Sequence, residues 1–361
     1  MLMMAVQAIA FLAGLFIVVA ALLSTLRTFV LPRAAPDVIT RFVFVMIRRV
    51  FDFLTFRSES YETRDRIMAF FAPISLLLLL PTWLFLVLVG YAAMFWVLGT
   101  TSSQAAIKES GSSLLTLGFV SAEDFPRTVL ALTEATIGLM LVALLIAYLP
   151  TIYSAFSRRE AAVTLLEVRA GNPPSAVEMI KRFHRIHGLD RLSEQWRAWE
   201  EWFADVEESH TSLAVLVYFR SHHANRSWVT AAGTVLDAAS LVRAVVDIPG
   251  DPQADLCIRA GYIALRRIAD FFSVPYDPNP KPTDPTTITR EEFDEACRDL
   301  EDAGVPLVAD RDRAWLDFNG WRVNYDVPLL TIANLTMAPY APWSSDRGPV
   351  FRVSVLPRSN H

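Results

Sequence analysis

Three long apolar runs dominate the first part of the chain. They cover residues 5–26, 67–98 and 128–156. Each is long enough to cross the hydrocarbon core of a bilayer, which is about 30 Å thick and needs about 20 apolar residues. Pro73 and Pro81 lie inside the second run, and proline bends a helix because it lacks a backbone donor. The pattern therefore predicts three transmembrane helices, the second of them tilted or kinked.

The first run is also compatible with a cleaved signal peptide. However, no basic residue precedes it, and no small-x-small cleavage motif followed by a soluble domain comes after it. We interpret the run as a retained transmembrane helix and keep the signal peptide as the lesser alternative.

Arginine residues alternate with the apolar runs and predict the topology. The first connection carries eight of them: Arg27, Arg33, Arg41, Arg48, Arg49, Arg57, Arg64 and Arg66. The second connection, residues 99–127, has two basic side chains, Lys108 and Arg127, and three acidic ones, Glu109, Glu123 and Asp124. Arg158 and Arg159 follow the third run directly. Because basic loops stay in the cytoplasm, we expect the C-terminus inside and the N-terminus outside, in the inner (plasma) membrane of a bacterial cell.

Residues 38–56 form a charged but largely apolar segment in the first connection. Arg41, Arg48, Arg49 and Asp52 interrupt an otherwise apolar sequence. Such a segment is too charged to span a membrane and too apolar to be free in water, so it predicts an amphipathic helix. The helix lies either in the inner membrane interface or against the body of the membrane domain, and both can hold at once.

A short polar stretch lies between the second and third runs. Residues 110–120 read Ser-Gly-Ser-Ser-Leu-Leu-Thr-Leu-Gly-Phe-Val, and residues 104–115 are long enough for about three helical turns. Non-helical backbone at membrane depth is tolerated only where it lines a water-filled cavity. We interpret the stretch as a re-entrant pore loop; the plainer alternative is an extracellular loop.

Residues 67–156 resemble the pore domain of the potassium-channel superfamily, whose filter reads Thr-Val-Gly-Tyr-Gly-Asp. The corresponding residues of this chain are Thr116, Leu117, Gly118, Phe119, Val120 and Ser121. The threonine and first glycine match, the next apolar and aromatic positions have similar shapes, and Val120 and Ser121 depart from the pattern. The resemblance covers about a quarter of the chain. It implies an outer helix, a pore helix, a filter and an inner helix, and a homotetramer, since one loop supplies a quarter of a filter.

The chemistry of such a filter explains these residue types. Four copies point consecutive carbonyls and a threonine hydroxyl at a dehydrated cation. Alternate residues need left-handed backbone angles, which Gly118 adopts freely and the β-branched Val120 resists. We therefore expect a monovalent cation, K⁺ above all, as the permeant ion, and weak selectivity. No other cofactor and no bound metal are expected.

Four further residues are expected to support the loop. Ser112 and Ser113 are placed to form hydrogen bonds behind the filter, and Glu134 to face its back. Gly138 follows Glu134 by four residues, a spacing similar to that in the inner helices of bacterial two-helix potassium channels. Gly138 is a candidate gating hinge or a site of close helix packing, with equal weight.

The chain divides into residues 1–66, 67–156 and 157–361, the last a mainly helical cytoplasmic domain. Helix continues directly from the third run to about residue 169 and stops at Ala-Gly-Asn-Pro-Pro. Trp196, Trp199 and Trp202 define one helix face. His210, His222 and His223 fit no metal motif, and a polar network is the favoured interpretation, with a pH or ligand sensor as a further role.

Composition limits the remaining classes of function. The chain is 53% hydrophobic with a net charge of −5, which does not support nucleic-acid binding. It has no glycine-rich nucleotide loop, no G-x-S-x-G and no kinase signature, so no enzyme is predicted.

The fold class is an all-α membrane protein with three transmembrane helices, a re-entrant pore loop and a helical cytoplasmic domain. The predicted function is a tetrameric, potassium-channel-like cation channel gated through that domain by an unknown regulatory ligand or protein. The alternative is a non-conducting membrane receptor or scaffold, which Val120 and Ser121 favour.

Overall fold

The computed structural model describes residues 2–31, 37–58, 60–100, 102–120 and 124–348. These residues form helices, turns and a single antiparallel bridge between Val246 and Leu307. The helices are α1 (Leu2–Phe29), α2 (Val38–Phe56), α3 (Tyr61–Met68), α4 (Phe71–Val97), α5 (Ser103–Leu114), α6 (Phe125–Ala170), α7 (Ala176–Arg185), α8 (Leu192–Ser212), α9 (Trp228–Val245), α10 (Pro252–Phe271), α11 (Arg290–Asp302), α12 (Arg311–Arg322) and α13 (Asp326–Leu335). Arg33, Ser121 and Glu123, which entered the predictions above, lie outside the described residues.

The described residues divide into two compact units. Residues 2–50 and 71–153 form the first unit, and residues 51–70 and 154–348 form the second. The three apolar runs fold into α1, α4 and α6, each long and apolar enough to cross a membrane. These helices indicate a multi-pass membrane protein. Helix α9 has a similar length and composition, but 94% of it is buried inside the second unit, as expected of a core helix.

The second apolar run begins later than the sequence predicted. Residues 69–70 form a turn, so the polar helix α3 ends before α4 begins at Phe71. Pro73 then lies in the first turn of α4, where a missing backbone donor breaks no helical hydrogen bond. Only Pro81 is inside the helix, and it is the proline expected to bend α4.

In the first unit, α1 and α4 cross at a pair of glycines. A Cβ at Gly14 would lie 2.4 Å from the carbonyl oxygen of Gly90, and a Cβ at Gly90 would lie 2.7 Å from that of Gly14. Small residues allow such close approach between helices in a membrane. Farther along, Trp83 donates its Nε1–H to the hydroxyl of Ser24, which in turn donates to Asp37. The backbones of α1 and α4 are therefore in contact at the two glycines, and a hydrogen bond between Trp83 and Ser24 joins the same helices farther along.

Helix α2 has the bounds that the sequence predicted. One side is buried at Val43, Phe44 and Ile47. The opposite side exposes apolar residues: Val38, Phe42, Met46, Val50 and Phe53. The helix is therefore packed along one face and still has an apolar face free, so the two interpretations of this segment are compatible.

The second unit is built around α9, in which 17 of 18 residues are buried. The face predicted at Trp196, Trp199 and Trp202 is buried. The last helices, α12 and α13, fold back onto this core. A fully buried Arg322 anchors them, because its guanidinium donates to the carboxylates of Asp237 (2.7 Å) and Asp326 (2.8 Å).

Candidate functional site

The short polar helix α5 returns along α4 after the turn that joins them. The hydroxyl of Ser102 caps its first turn by accepting from the backbone N–H of Ala105 (3.1 Å), as is common for serine. Near its other end, Ser110 donates to the backbone carbonyl of Leu88 (3.0 Å). Leu88 lies nine residues before Val97, the last residue of α4. At about 1.5 Å per residue, α5 therefore reaches back about 13 Å along α4.

Helix α5 ends in a Schellman motif, a pair of backbone hydrogen bonds that closes a helix C-terminus. The N–H of Leu117 donates to the carbonyl of Ser112 (2.8 Å), and the N–H of Thr116 donates to that of Ser113 (3.0 Å). Thr116 has a φ of 53° and Gly118 a φ of 72°. Two alternate residues of the predicted filter thus have left-handed backbone angles. The side chains of Leu115, Leu117 and Phe119 are all more than half exposed.

The two predicted supporting serines have different roles. The hydroxyl of Ser112 accepts from the backbone N–H of Val120 (3.1 Å), so it holds the end of the turn against α5. Ser113 instead donates back to the carbonyl of Glu109 (3.0 Å) within α5. Val120 keeps a negative φ, as its β-branched side chain requires. The structure therefore brings Ser112, and not Ser113, to the far end of the turn.

Glu109 on α5 and Glu134 on α6 are both buried. The hydroxyl oxygen of Ser110 lies 2.5 Å from Oε1 of Glu134 on α6, so its one proton is shared between this carboxylate and the carbonyl of Leu88. Oε2 of Glu109 lies 3.1 Å from the hydroxyl of Thr100 and 3.8 Å from Nη1 of Arg127. Among the described residues, the second oxygens of Glu109 and Glu134 have no hydrogen-bond partner. The sequence placed Glu134 behind the turn but did not identify Ser110 as its partner.

Gly138 allows α6 to approach the end of α5. A Cβ at this position would lie 2.2 Å from the carbonyl oxygen of Leu114. Real Cβ atoms do not approach a carbonyl so closely, so any other residue requires a backbone shift. Of the two interpretations offered for Gly138, this contact supports close helix packing.

Helix α6 has two exposed stripes of different chemistry. At alternating spacings of three and four residues, one stripe carries mostly small or hydroxyl side chains: Thr136, Met140, Ala143, Ala147, Pro150, Ser154, Ser157 and Ala161. The other carries bulky apolar side chains: Leu132, Leu139, Val142, Ile146, Leu149 and Tyr153. Lipid tails favour the bulky stripe, whereas small and hydroxyl side chains are typical of helix contacts and water-lined paths.

No family model matches the chain, and no curated protein or solved structure is significantly similar to it. The resemblance of residues 67–156 to potassium-channel pore domains therefore remains an expectation from the residue pattern alone.

A second polar cluster surrounds Arg159, in the part of α6 that belongs to the second unit. The guanidinium is buried, pairs with Glu160 (2.8 Å) and donates to the backbone carbonyls of Leu216 (2.8 Å) and Phe219 (2.7 Å). The Nε2 atom of His210 on α8 lies 3.2 Å from its Nη1. The predicted polar network at His210 is therefore present, and it ties α6 to the helical core. The sequence identified Arg159 only as a topology signal.

The other two histidines do not join this cluster. His222 is exposed and lies against the ring of Phe156, with a centroid distance of 5.4 Å, and His223 is exposed as well. Within the part of the chain that the structure describes, no group of three or more histidine, cysteine or acidic side chains is arranged to hold a metal ion. The three histidines therefore form no such group among the described residues.

Acidification below about pH 6.5 is expected to destabilise the second unit through His210. Burial, and then the charge of Arg159, holds the pKa of His210 well below its ordinary value. The unfolded chain binds this proton below about pH 6.5, whereas the folded chain does not. The contribution of the neutral His210 to stability is therefore complete above about pH 6.5. Below that pH, the free energy of unfolding falls by up to about 1.4 kcal/mol per pH unit.

Denaturant unfolding of the full chain between about pH 7.5 and about pH 5 measures this effect. His210→Gln should flatten the pH dependence, and His223→Gln, at an exposed site, should leave it unchanged. An equally steep dependence in both variants would assign the effect to other groups.

Proposed function

We propose that the protein is a tetrameric, potassium-channel-like cation channel in the inner (plasma) membrane, with its N-terminus outside and its C-terminus in the cytoplasm. The observation that carries the proposal is the placement of α5. A polar helix packs back between two apolar helices and ends in an exposed turn whose alternate residues, Thr116 and Gly118, have left-handed angles. Four such turns around an axis would present their carbonyls to a dehydrated cation.

The two stripes of α6 support the same assembly. In a four-fold arrangement the bulky stripe faces lipid, and the stripe from Thr136 to Ala161 faces the axis. Small and hydroxyl side chains leave room there for hydrated ions, and Ser157 offers an oxygen ligand. A lone transmembrane helix surrounded by lipid has no need of such a stripe.

Helix α6 also offers a route for gating. It is continuous from Phe125 to Ala170, so its axis-facing residues and Arg159 belong to one helix. A regulatory ligand or protein that moves the helical core would therefore act on α6 through the cluster at Arg159. Pro150 lies inside α6, before Arg159, and it is the position at which we expect the helix to bend.

One observation favours the alternative, a non-conducting membrane receptor or scaffold with a degenerate pore fold. The backbone N–H of Val120 is held by Ser112, and Val120 keeps a negative φ. The last carbonyl of the turn is therefore not free to rotate as it does where glycine occupies this position. On this alternative the four-chain assembly remains, but no ion passes.

Native mass spectrometry and an ion-flux assay on the full-length protein separate these functions. We expect four chains per particle and K⁺ flux into proteoliposomes, above the leak of protein-free vesicles prepared in the same way. Four chains without flux would favour the scaffold. A stable monomer or dimer would contradict both, because one turn cannot enclose a pore.

A further inference from the structure

A basic and apolar face lies on the second unit where α6, α7 and the start of α8 meet. Leu165, Val168 and Ile186 expose 55%, 74% and 70% of their surfaces there, around a concave volume of about 530 Å³. Four arginines line the same surface, Arg169, Arg182, Arg185 and Arg191, with one acidic residue, Glu194. We call this surface the basic face. Exposed apolar residues grouped in this way commonly mark a contact with another protein.

An acidic cleft of about 390 Å³ lies on another side of the same unit. Its charged lining includes Glu178, Glu292, Glu295, Asp299 and Asp346, with one basic residue, Lys181. Tyr340 lines the cleft and is 65% exposed. Glu178 is paired with Arg182, and Glu292 and Asp346 are paired with Arg347, so among the described residues Glu295 and Asp299 supply the unpaired negative charge. Together with the accessible ring of Tyr340, they complement the arginines and aliphatic side chains of the basic face.

Both surfaces carry charged side chains that form no ion pair within the described part of the chain. Arg185 and Arg191 are exposed and form no ion pair within the described part of the chain, and the same holds for Glu295 and Asp299. By contrast, Arg182 is paired with Glu178 inside the chain. The two surfaces lie on different sides of α7, so one copy cannot bring its own surfaces together. Two different surfaces that match each other form a head-to-tail contact, which gives a ring when the rotation between copies closes.

The basic face is also continuous with the stripe that faces the axis in the proposed channel. Along α6, Thr164 and Val168 are exposed after Ala161 and continue the same spacing of three and four residues, and Leu165 is exposed between them. Val168 is therefore both the next position of the stripe and part of the basic face.

We propose that the basic face of each copy docks into the acidic cleft of the next copy, forming a ring of second units. Ile186 enters the cleft beside Tyr340, while Arg185 and Arg191 pair with Glu295 and Asp299. The proposal rests on the four-fold assembly of the proposed function and adds a second interface to it. An anionic membrane surface would attract the basic face but would leave the acidic cleft without a partner, so a neighbouring copy fits both surfaces better.

Cysteine cross-linking of the full-length protein in detergent tests this interface. Arg185→Cys combined with Asp299→Cys should give a ladder of disulfide-linked species up to four chains under mild oxidation. Each single variant, and Arg259→Cys combined with Asp277→Cys at exposed sites that line neither surface, should not. Cys257 and Cys297 are buried and do not interfere.

A charge exchange tests the proposed pairing in the same assay. In the cross-linking background, Arg191→Glu should slow cross-linking several-fold, and adding Glu295→Arg should restore it. Native mass spectrometry keeps the two proposals apart. Four chains without the ladder, or a ladder insensitive to the exchange, overturns the interface and leaves the channel proposal standing; fewer than four chains in the wild type overturns the channel proposal itself.

Discussion

Replacing Arg159 with leucine is expected to lower the free energy of unfolding of the second unit by about 3–5 kcal/mol, the usual effect of breaking a buried ion pair. The substitution leaves the carboxylate of Glu160 buried without its partner. It also leaves the carbonyls of Leu216 and Phe219 without the guanidinium that binds them. Each buried, unsatisfied group adds to the loss.

The neighbouring residue provides a matched control. Arg158 pairs with Asp205 at 3.0 Å, but its side chain is 54% exposed, and an exposed pair contributes about 0–1 kcal/mol. Arg158→Leu should therefore unfold almost like the wild type. Tryptophan fluorescence during denaturation of the full chain reports mainly on the second unit, which holds seven of the nine tryptophans. Equal decreases in the free energy of unfolding of Arg159→Leu and Arg158→Leu would mean that the buried cluster at Arg159 stabilises the second unit no more than the exposed pair does.

The parts of the fold that follow from local sequence were predicted closely. Helix α2 has the predicted bounds because its charges and apolar residues alternate at helical spacing. Helix α5 is shifted by one residue from the predicted range, 104–115, because Ser102 caps it. Helix α6 begins after Asp124, whose carboxylate accepts from the N–H of Arg127 (3.0 Å), as expected of a capping residue.

Other features depend on contacts between distant residues and gave no local signal. The turn between α3 and α4 falls within a run that reads as one apolar segment. Arg220 binds Tyr61 on α3 (2.8 Å) and pairs with Asp65, so α3 belongs with the second unit rather than with the span. Helix α9 has the composition of a membrane helix, and only its surroundings identify it as a core helix.

The candidate site was predicted in outline but not in its hydrogen bonds. The sequence placed Thr116–Val120 in a turn after a short helix, and placed Glu134 behind it. It could not choose Ser112 over Ser113, because neighbouring residues on a helix point about 100° apart and the orientation of α5 was unknown. It also missed Ser110, whose role becomes visible only once α4 and α6 flank α5. Glu109 was counted as a loop charge and is instead buried.

Gly118→Val is expected to abolish the cation current while the protein still assembles. Gly118 has a φ of 72°, and nothing lies within 4 Å of a Cβ built there. The substitution therefore acts through the backbone. A left-handed φ costs an ordinary residue about 1–2 kcal/mol, and it costs a β-branched residue more. The turn moves to relieve the strain, and the carbonyls on either side lose the direction they need to bind an ion.

Gly99 offers a control with the same kind of strain outside the turn. Its φ is 102°, and again nothing lies within 4 Å of an added Cβ. Gly99→Val should cost a similar amount of stability and leave the current measurable. Native mass spectrometry of both variants checks that four chains still assemble, so that a lost current cannot be attributed to a lost assembly.

Val120→Gly is the complementary substitution, and we expect it to improve ion selectivity rather than abolish the current. Glycine at this position frees the last carbonyl of the turn to point toward the axis, which adds an outer ring of ligands for a dehydrated cation. The variant should therefore conduct with a higher preference for K⁺ over Na⁺ than the wild type, seen as a shift in reversal potential under a potassium–sodium gradient. If the wild type carries no current, or if Gly118→Val conducts normally, residues 116–120 are not a filter. The scaffold function then becomes the better account of α5 and its turn.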